Sequence, residues 1–397
     1  MLPKLLPSKI HEGALFGRAV ALLGNTAMIG ARGDNDTGSA YVFQRKGKVW
    51  VQAKNPITPP LRNNSDNSDN IGATFGNAIS LWGDTALIGA PGIPVGPKEF
   101  RHGKAYIYRR ERDRWLLDIE LSSGYGGPFG DHFGACVALR GNTALIGAQD
   151  ARPIGELADG LAYIFERTNG QWHKTVLGRP GNDGMGPGAG FGISVALSAD
   201  VAMVGAWNET VNGRTGAGAA YTFRRKGVGQ WKFENRIVLP LPIENDLFGR
   251  TVAIEDRTAL VGAYWRNEKR GAVYVLENDG SGNWTFKEEL PLPPPVLAKG
   301  DFFGVSVALA GEHAVVGAFQ GNEVDCLVSG GSGKVYVFKK TKAGWTQRAV
   351  VGEWRCDGFG ISVAIADRTV LIGAFRYDGY NSGIQTDSGA VYVMQID

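Results

Sequence analysis

The residue after each of seven Gly-Ala pairs is a candidate ligand contact, because it changes from copy to copy while its surroundings hardly change. In chain order these residues are Arg32, Pro91, Gln149, Trp207, Tyr264, Phe319 and Phe375. Four successive copies thus place an aromatic ring at equivalent positions, and Tyr377 follows two residues after the last. Such rings stack on sugars or on apolar small ligands, although rings at these positions also suit packing between repeats. We predict that the ligand is bound by Trp207, Tyr264, Phe319, Phe375 and Tyr377.

A second variable position follows each of seven Phe-Gly pairs. In chain order it holds Arg18, Asn77, Ala135, Ile193, Arg250, Val305 and Ile361. The guanidinium groups of Arg18 and Arg250 can hold a carboxylate or sulfate through paired hydrogen bonds. The alternative is that they form ion pairs with loop carboxylates, for which Asp34, Asp246 and Asp301 are available. Arg32, from the variable position after the Gly-Ala pairs, is also predicted to be a ligand-binding residue; it begins Arg32-Gly33-Asp34, a short match to the adhesion tripeptide.

Acid–base catalysis would need a histidine beside these positions. His132 directly precedes a Phe-Gly pair, and His102 ends a loop that follows a Gly-Ala pair. With Tyr264 or Tyr377 as a partner, such a histidine can serve a lyase or a hydrolase. No catalytic spacing accompanies them, so His132, His102 and Tyr264 are candidates for an alternative, catalytic function.

A repeated unit must position these residues. The Phe-Gly pairs begin at residues 16, 75, 133, 191, 248, 303 and 359, at intervals of 59, 58, 58, 57, 55 and 56 residues. Each unit continues with an apolar run ending in Gly-Ala, then a strand containing Gly-x-[Ala/Val]-Tyr, and six units add a segment that opens with tryptophan. We interpret these signals as four β-strands per unit, named A to D in chain order. Residues 1–397 are therefore expected to form one domain.

Strand A predicts how the units pack. Val20 and Leu22 alternate with Ala19 and Ala21, and later copies keep the same order of large and small residues. Period 2 places them on opposite faces of a strand, so both faces need a neighbour. Sheets arranged around an axis satisfy this requirement, and the sequence predicts an all-β, seven-bladed β-propeller. The last unit lacks strand D, and residues 2–7 resemble the end of a D strand, so we expect the N-terminal strand to close blade seven.

The strand order also predicts where ligands bind. Strand A runs towards a tight A–B turn such as Gly24-Asn25, so the B–C and D–A loops share the opposite face, here called the upper face. Variable loops on a rigid scaffold commonly carry binding sites. Because the framework is uniform and the rim is not, we expect one ligand per chain. The site is expected near the axis and weighted towards blades four to seven, with Arg18 and Arg250 at the opposing edge.

Composition excludes several classes of protein. Lys and Arg total 42 against 39 Asp and Glu, with no long basic run, so we predict no nucleic-acid partner. The sequence contains no stretch of 18 apolar residues, so we predict no membrane span. The first residues lack the apolar core of a signal peptide, so we expect either a cytosolic location or an export signal outside this sequence. Cys326 and Cys356 lie in upper loops of neighbouring units, either paired or free.

The pattern of Phe-Gly, Gly-Ala and Gly-x-Val-Tyr resembles the FG-GAP repeat, the repeat of integrin α-chain propellers. The resemblance covers the whole chain and implies an extracellular or cell-surface recognition protein. Integrin-type repeats often carry a calcium loop between strands A and B, but two-residue turns such as Gly24-Asn25 occupy that place here. Such turns lack carboxylates at ligand spacing. We therefore predict no metal site and no cofactor.

Three functions follow as hypotheses. The first is a non-catalytic recognition module that binds a glycan or another small extracellular ligand, neutral or anionic, on the upper face. The second is an enzyme such as a polysaccharide lyase or a cyclase; clustering of His132, Arg18, Arg250 and Tyr264 in one deep pocket would favour it. The third is an adhesion propeller that uses a broad face against a protein partner.

Overall fold

The computed structural model describes residues 2–60, 72–93, 102–124, 130–152, 159–180, 188–292, 299–319, 333–352, 357–377 and 388–397. They form seven antiparallel sheets of four strands each. Strand A of every blade packs against strand A of the next, and the first packs against the seventh, so the blades form a closed ring. The prediction of an all-β, seven-bladed propeller is confirmed.

The strand bounds follow the repeat. Strand A spans Phe16–Leu23, Ala78–Trp82, Cys136–Arg140, Phe191–Leu197, Thr251–Glu255, Phe303–Ala310 and Phe359–Ala366. Strand B spans Thr26–Ala31, Thr85–Ala90, Thr143–Ala148, Val201–Ala206, Thr258–Gly262, His313–Ala318 and Thr369–Ala374. Strand C spans Ser39–Lys46, Lys104–Glu111, Leu161–Thr168, Ala219–Gly227, Val273–Asn278, Lys334–Thr341 and Ala390–Gln395. Strand D spans Val49–Gln52, Arg114–Leu121, Gln171–Leu177, Gln230–Ile237, Trp284–Glu289 and Gly344–Gly352, with Lys4–Leu5 in blade seven. Two short helical turns, Asp34–Asp36 and Arg266–Lys269, follow strand B in blades one and five.

One aromatic pair forms the core of each blade. The phenylalanine of every Phe-Gly pair is fully buried and contacts the tyrosine of its own strand C, with ring centroids 5.0–6.0 Å apart. Most of these pairs are edge-to-face, the arrangement that aromatic quadrupoles favour. Two of the recurring motifs are therefore the two halves of one packing contact.

The two recurring glycines meet at the seam between blades. The Phe-Gly glycines have φ between +84° and +94°, a range that L side chains rarely adopt. The carbonyl oxygen of each one lies against the Gly-Ala glycine of the preceding blade, and a Cβ there would come within 3.0 Å of that oxygen at all seven seams. The motif thus marks a close approach of neighbouring backbones, at the upper end of the central channel.

A hydroxyl or thiol secures five of these seams. The residue three positions after the phenylalanine donates a hydrogen bond to the carbonyl of the next blade's Phe-Gly glycine, over 2.7–3.1 Å. The donors are Cys136, Ser194, Thr251, Ser306 and Ser362. Alanines occupy the equivalent position in blades one and two. At this position of strand A, five of the seven small residues therefore also bond to the neighbouring blade.

The N-terminal strand closes the ring as predicted. Lys4 and Leu5 pair with Tyr392 and Val391 of strand C in blade seven. The backbone N–H of Val393 also donates to the carbonyl of Pro3 over 2.9 Å. Leu5 is buried, so the outermost strand adds apolar contact as well as hydrogen bonds. This arrangement covers an edge that would otherwise expose unpaired backbone groups.

Removal of residues 1–10 is expected to lower the melting temperature clearly. Burial of Leu5 alone stabilises the ring by about 1.5–3 kcal/mol, and the strand's backbone bonds are lost with it. Differential scanning calorimetry of the truncated and parent proteins measures the effect. A synthetic peptide of residues 1–10 should restore part of the loss when it is added to the truncated protein. Equal melting of parent and truncated protein would contradict the closure role.

An arginine-lined cavity at the upper end of the channel

A cavity of about 460 Å³ opens at the upper end of the central channel. All seven blades contribute to it through the first residues of strand A. Four of the residues that follow a Phe-Gly or Gly-Ala pair supply its main polar groups: Arg18, Arg32, Asn77 and Arg250, with Gln149 and His132 at the same end. The aliphatic residues Ile193, Val305 and Ile361 of blades four, six and seven line the remaining wall. The cavity is therefore polar on blades one to three and five.

Three guanidinium groups meet in this cavity. Arg18 and Arg250 follow the Phe-Gly pairs of blades one and five, and Arg32 follows strand B of blade one. Nη1 of Arg32 donates to Oδ1 of Asn77 over 3.2 Å, and the Asn77 amide donates to the carbonyl of Ala135 over 2.9 Å. Among the described residues that line the cavity, no aspartate or glutamate is present. Within the described residues, Asp34 pairs with His11 and Asp246 pairs with Arg266, rather than with the arginines of the cavity.

The three charges disfavour one another. Burial, together with the nearby charges of Arg32 and Arg250, lowers the pKa of Arg18 to about 10. Burial also lowers the pKa of Arg32. A guanidinium keeps its charge at neutral pH even with a pKa near 10. The cavity is consequently a positively charged space without a compensating carboxylate among its described residues.

Deeper in the channel the cavity becomes apolar. The residue four positions after each phenylalanine is β-branched in all seven blades and lines the cavity: Val20, Ile79, Val137, Val195, Val252, Val307 and Val363. Between this ring and the arginines lie the small residues whose hydroxyl groups already bond to neighbouring carbonyls. Burial raises the pKa of the Cys136 thiol, which lines the same wall, to about 12. It is therefore neutral and a poor nucleophile.

His132 lies at the cavity together with the arginines. Its Nδ1 is 2.7 Å from Oδ2 of Asp150, both side chains being partly exposed. His102 is different, because it is buried beside Asp131, with 3.9 Å between Nδ1 and Oδ1, and it does not line the cavity. The structure thus gathers His132, Arg18 and Arg250 but places His102 elsewhere.

The predicted aromatic residues do not line the arginine cavity. Trp207 is half-buried against Gly190, and Tyr264 contacts Trp265 and Phe302. The other three pack at the last blades. Phe319 and Phe375 contact each other across blades six and seven with centroids 6.0 Å apart. Tyr377 is buried, and the Lys4 ammonium lies 4.2 Å from its ring centroid.

These contacts bear on which blades form the site, which the sequence placed mainly on blades four to seven. The rings of blades four to seven pack on residues outside the cavity, whereas the polar groups converge from blades one, two, three and five. The polar groups are therefore distributed asymmetrically about the axis, on blades other than those that carry most of the aromatic residues. A single ligand site near the axis stays a prediction. Ligand binding by the aromatic residues themselves stays a prediction.

Asp34 does not serve as an exposed adhesion residue. Its carboxylate is buried, with 2.7 Å from Oδ1 to Nδ1 of His11, and it accepts a hydrogen bond from the Tyr41 hydroxyl over 2.8 Å. The adhesion reading of Arg32-Gly33-Asp34 is therefore wrong, since the acid of that tripeptide must reach a partner. Cys326 and Cys356 lie outside the described residues.

Sequence reasoning missed two features of the cavity. Asn77 appeared only as one variable residue among seven, yet it orients Arg32. The ring of β-branched residues was visible as a repeated position in strand A, but its alternation was interpreted only as packing between blades. The signal for a channel lining was that this position is β-branched in every copy.

Among the described residues, no helix is long and apolar enough to span a membrane. No curated protein matches the chain. Among solved structures, Sqt1 of Saccharomyces cerevisiae aligns over 100% of both chains with a TM-score of 0.52 and 10% identity. A candidate 6-phosphogluconolactonase from Bacteroides uniformis aligns over 86% of both chains with a TM-score of 0.54 and 12% identity. Identities this low show a shared fold alone.

A family model for the FG-GAP repeat matches six segments: residues 3–43, 125–165, 182–223, 231–276, 287–338 and 349–394. Together they cover more than half of the chain. The first segment includes the closing strand, and the second blade, which lies outside the matched segments, has the same four-stranded sheet and seam glycines as the others. The motifs, the blades and the family model agree, and the chain belongs to the FG-GAP repeat family.

Proposed function

We propose that this protein is a non-catalytic recognition module that binds one ligand per chain through an anionic group at the upper end of the channel. The observation that carries the proposal is the convergence of Arg18, Arg32 and Arg250 in a cavity whose described lining holds no carboxylate. Guanidinium groups form short, paired hydrogen bonds to carboxylate, sulfate and phosphate. A bound anion would supply the negative charge that the cavity's described residues do not.

The described lining favours binding over catalysis. The hydroxyl groups of Ser194, Thr251 and Ser306 already donate to backbone carbonyls, and the Cys136 thiol is neutral. His132 is the one imidazole among the described lining residues. General acid–base catalysis usually needs a second positioned group. Membership of the FG-GAP family supports an extracellular or cell-surface location as part of the proposal.

The experiment is a glycan array that contains neutral, uronate-bearing and sulfated glycans, probed with the parent protein and with Arg250→Gln. We expect retention on acidic glycans and roughly tenfold weaker binding by the variant, since hydrogen bonds to charged groups contribute about 1.5–3 kcal/mol. Arg257→Gln is the matched control, because Arg257 is exposed on the A–B turn of the same blade, at the opposite face of the ring. Equal binding by Arg250→Gln and the parent would overturn the proposal.

A second candidate function is a lyase or hydrolase, favoured by the pairing of His132 with Asp150 at the cavity. In this function Asp150 would orient the imidazole, and His132 would remove a proton from a substrate held by the arginines. Incubation with uronate-containing polysaccharides, followed by mass spectrometry of the products, tests it. Cleavage that is lost in His132→Gln would establish the enzyme and displace the recognition module. Absence of cleavage products would eliminate this candidate for those substrates.

A further inference from the structure

We infer that the ligand of the arginine cavity is a compact polyanion, with at least two negative charges, whose charged groups contact blades one and five together. The inference rests on the proposed function, since it specifies the ligand of the same site. Three features of the described cavity carry it: the number of cations, their distribution around the ring, and the chemistry below them.

The number of cations sets the charge of the ligand. Arg18, Arg32 and Arg250 place three positive charges in one cavity, and no described lining residue offsets them. A monoanion would leave most of this charge uncompensated in a partly desolvated space, where Coulomb interactions are stronger than in water. Sulfate, a phosphate group or a di- or tricarboxylate matches the charge more closely.

The distribution of the cations sets the shape. Arg18 and Arg32 belong to blade one, and Arg250 belongs to blade five, which is three blades away around a ring of seven. The guanidinium groups therefore approach the cavity from different walls of the channel. Arg32 is already oriented by Asn77, whereas the guanidinium groups of Arg18 and Arg250 have no ion-pair or hydrogen-bond partner within the described residues. A ligand with charges on two sides can engage both walls.

The lower lining sets the size. The seven β-branched residues below the arginines offer no polar side chain, and the hydroxyl groups above them are engaged by neighbouring blades. The charged groups of the ligand therefore stay at the level of the arginines. A cavity of about 460 Å³ holds a small molecule or one terminal group of a larger molecule, and not a stretch of polymer.

Isothermal titration calorimetry at pH 7 and constant ionic strength tests the inference with five probes: sodium acetate, sulfate, phosphate, citrate and a sulfated disaccharide. We expect one equivalent per chain and at least tenfold tighter binding of the strongest multivalent probe than of acetate. Acetate binding as tightly as every multivalent probe would overturn the polyanion inference while leaving the proposed function standing. No binding of any probe, together with an unaffected glycan profile in Arg250→Gln, would overturn both.

The same titrations distinguish two sources of the charge. Tighter binding of the sulfated disaccharide than of inorganic sulfate supports the inference with a sulfate ester as the charged group. Tighter binding of citrate or phosphate than of the sulfated disaccharide and inorganic sulfate supports the inference with a free small anion as the ligand. Five or more equivalent sites per chain would overturn it, because the arginines occur together only once around the described ring.

Arg18→Lys provides a variant that keeps the charge but removes the paired donors of the guanidinium. We expect it to weaken binding of the best multivalent probe roughly tenfold and to change acetate binding much less. Arg250→Lys repeats the test from the opposite wall in case the first variant folds poorly. Arg114→Lys, on the exposed outer strand of blade two, is the control. If Arg18→Lys and Arg250→Lys both bound the best multivalent probe as tightly as the parent, a paired guanidinium contact to the ligand would be contradicted.

Discussion

Gly205→Ala is expected to lower the free energy of unfolding by about 3 kcal/mol or more, or to prevent folding. A Cβ on Gly205 would lie within 3.0 Å of both the Gly249 carbonyl oxygen and Oγ of Ser194. These two atoms already share a 2.7 Å hydrogen bond across the seam. Neither atom can move away alone, because the Gly249 oxygen belongs to the backbone and the Ser194 hydroxyl is hydrogen-bonded to that oxygen. Relief requires that blades four and five move apart, with loss of the packing between them.

Urea unfolding followed by fluorescence measures this effect, and Gly227→Ala is its matched control. Gly227 lies in strand C of the same blade, and a Cβ there would meet nothing closer than Gln230, at 3.7 Å. Its backbone is also outside the left-handed region, so alanine is expected to change stability by less than about 1 kcal/mol. Similar unfolding midpoints for Gly205→Ala and Gly227→Ala would show that the seam does not need its glycine.

Arg18→Met is expected to raise the stability of the empty protein and to abolish its stabilisation by citrate. The pKa of Arg18 is about 10 in the folded protein, below its value in the unfolded chain, so the native state binds this proton less tightly. At pH 7 the charge therefore disfavours folding; that cost is fully present well below pH 10 and fades as the pH rises past the folded pKa towards that of the unfolded chain. Methionine keeps much of the length without the charge, and a gain of about 1–3 kcal/mol is expected.

Unfolding in urea at pH 7, with and without citrate, tests both parts. The parent should gain stability with citrate concentration, because a ligand that binds only the native state stabilises it by mass action. The variant should show a higher midpoint without citrate and no further gain with it, which corresponds to a loss of affinity of about a hundredfold. Arg114→Met, on an exposed outer strand, should behave like the parent. A less stable empty Arg18→Met, or one that citrate still stabilises, would contradict the prediction.

Much of the fold was predictable from one repeat unit. The phenylalanine and tyrosine of each unit, the two glycines and the alternation in strand A are all consequences of contacts that recur at every seam. Because each contact is made seven times, its pattern stands out from a single sequence. The missing strand D of the last unit and the matching segment at residues 2–7 predicted the closure for the same reason. The arginines at residues 18 and 250 stood out because most equivalent positions in the other units are apolar.

The composition of the cavity was decided by the tertiary structure. The repeat places equivalent residues at equivalent heights, but it does not determine which side chains reach the channel. Arg32 and Trp207 follow the same Gly-Ala pair in different blades, yet Arg32 lines the cavity beside Asn77 while Trp207 packs on Gly190. Long, charged side chains extend into a space where solvent remains, whereas large apolar rings gain more from covering a neighbouring backbone. Asp34 shows the same dependence on distant partners, since only folding brings His11 and Tyr41 to its carboxylate.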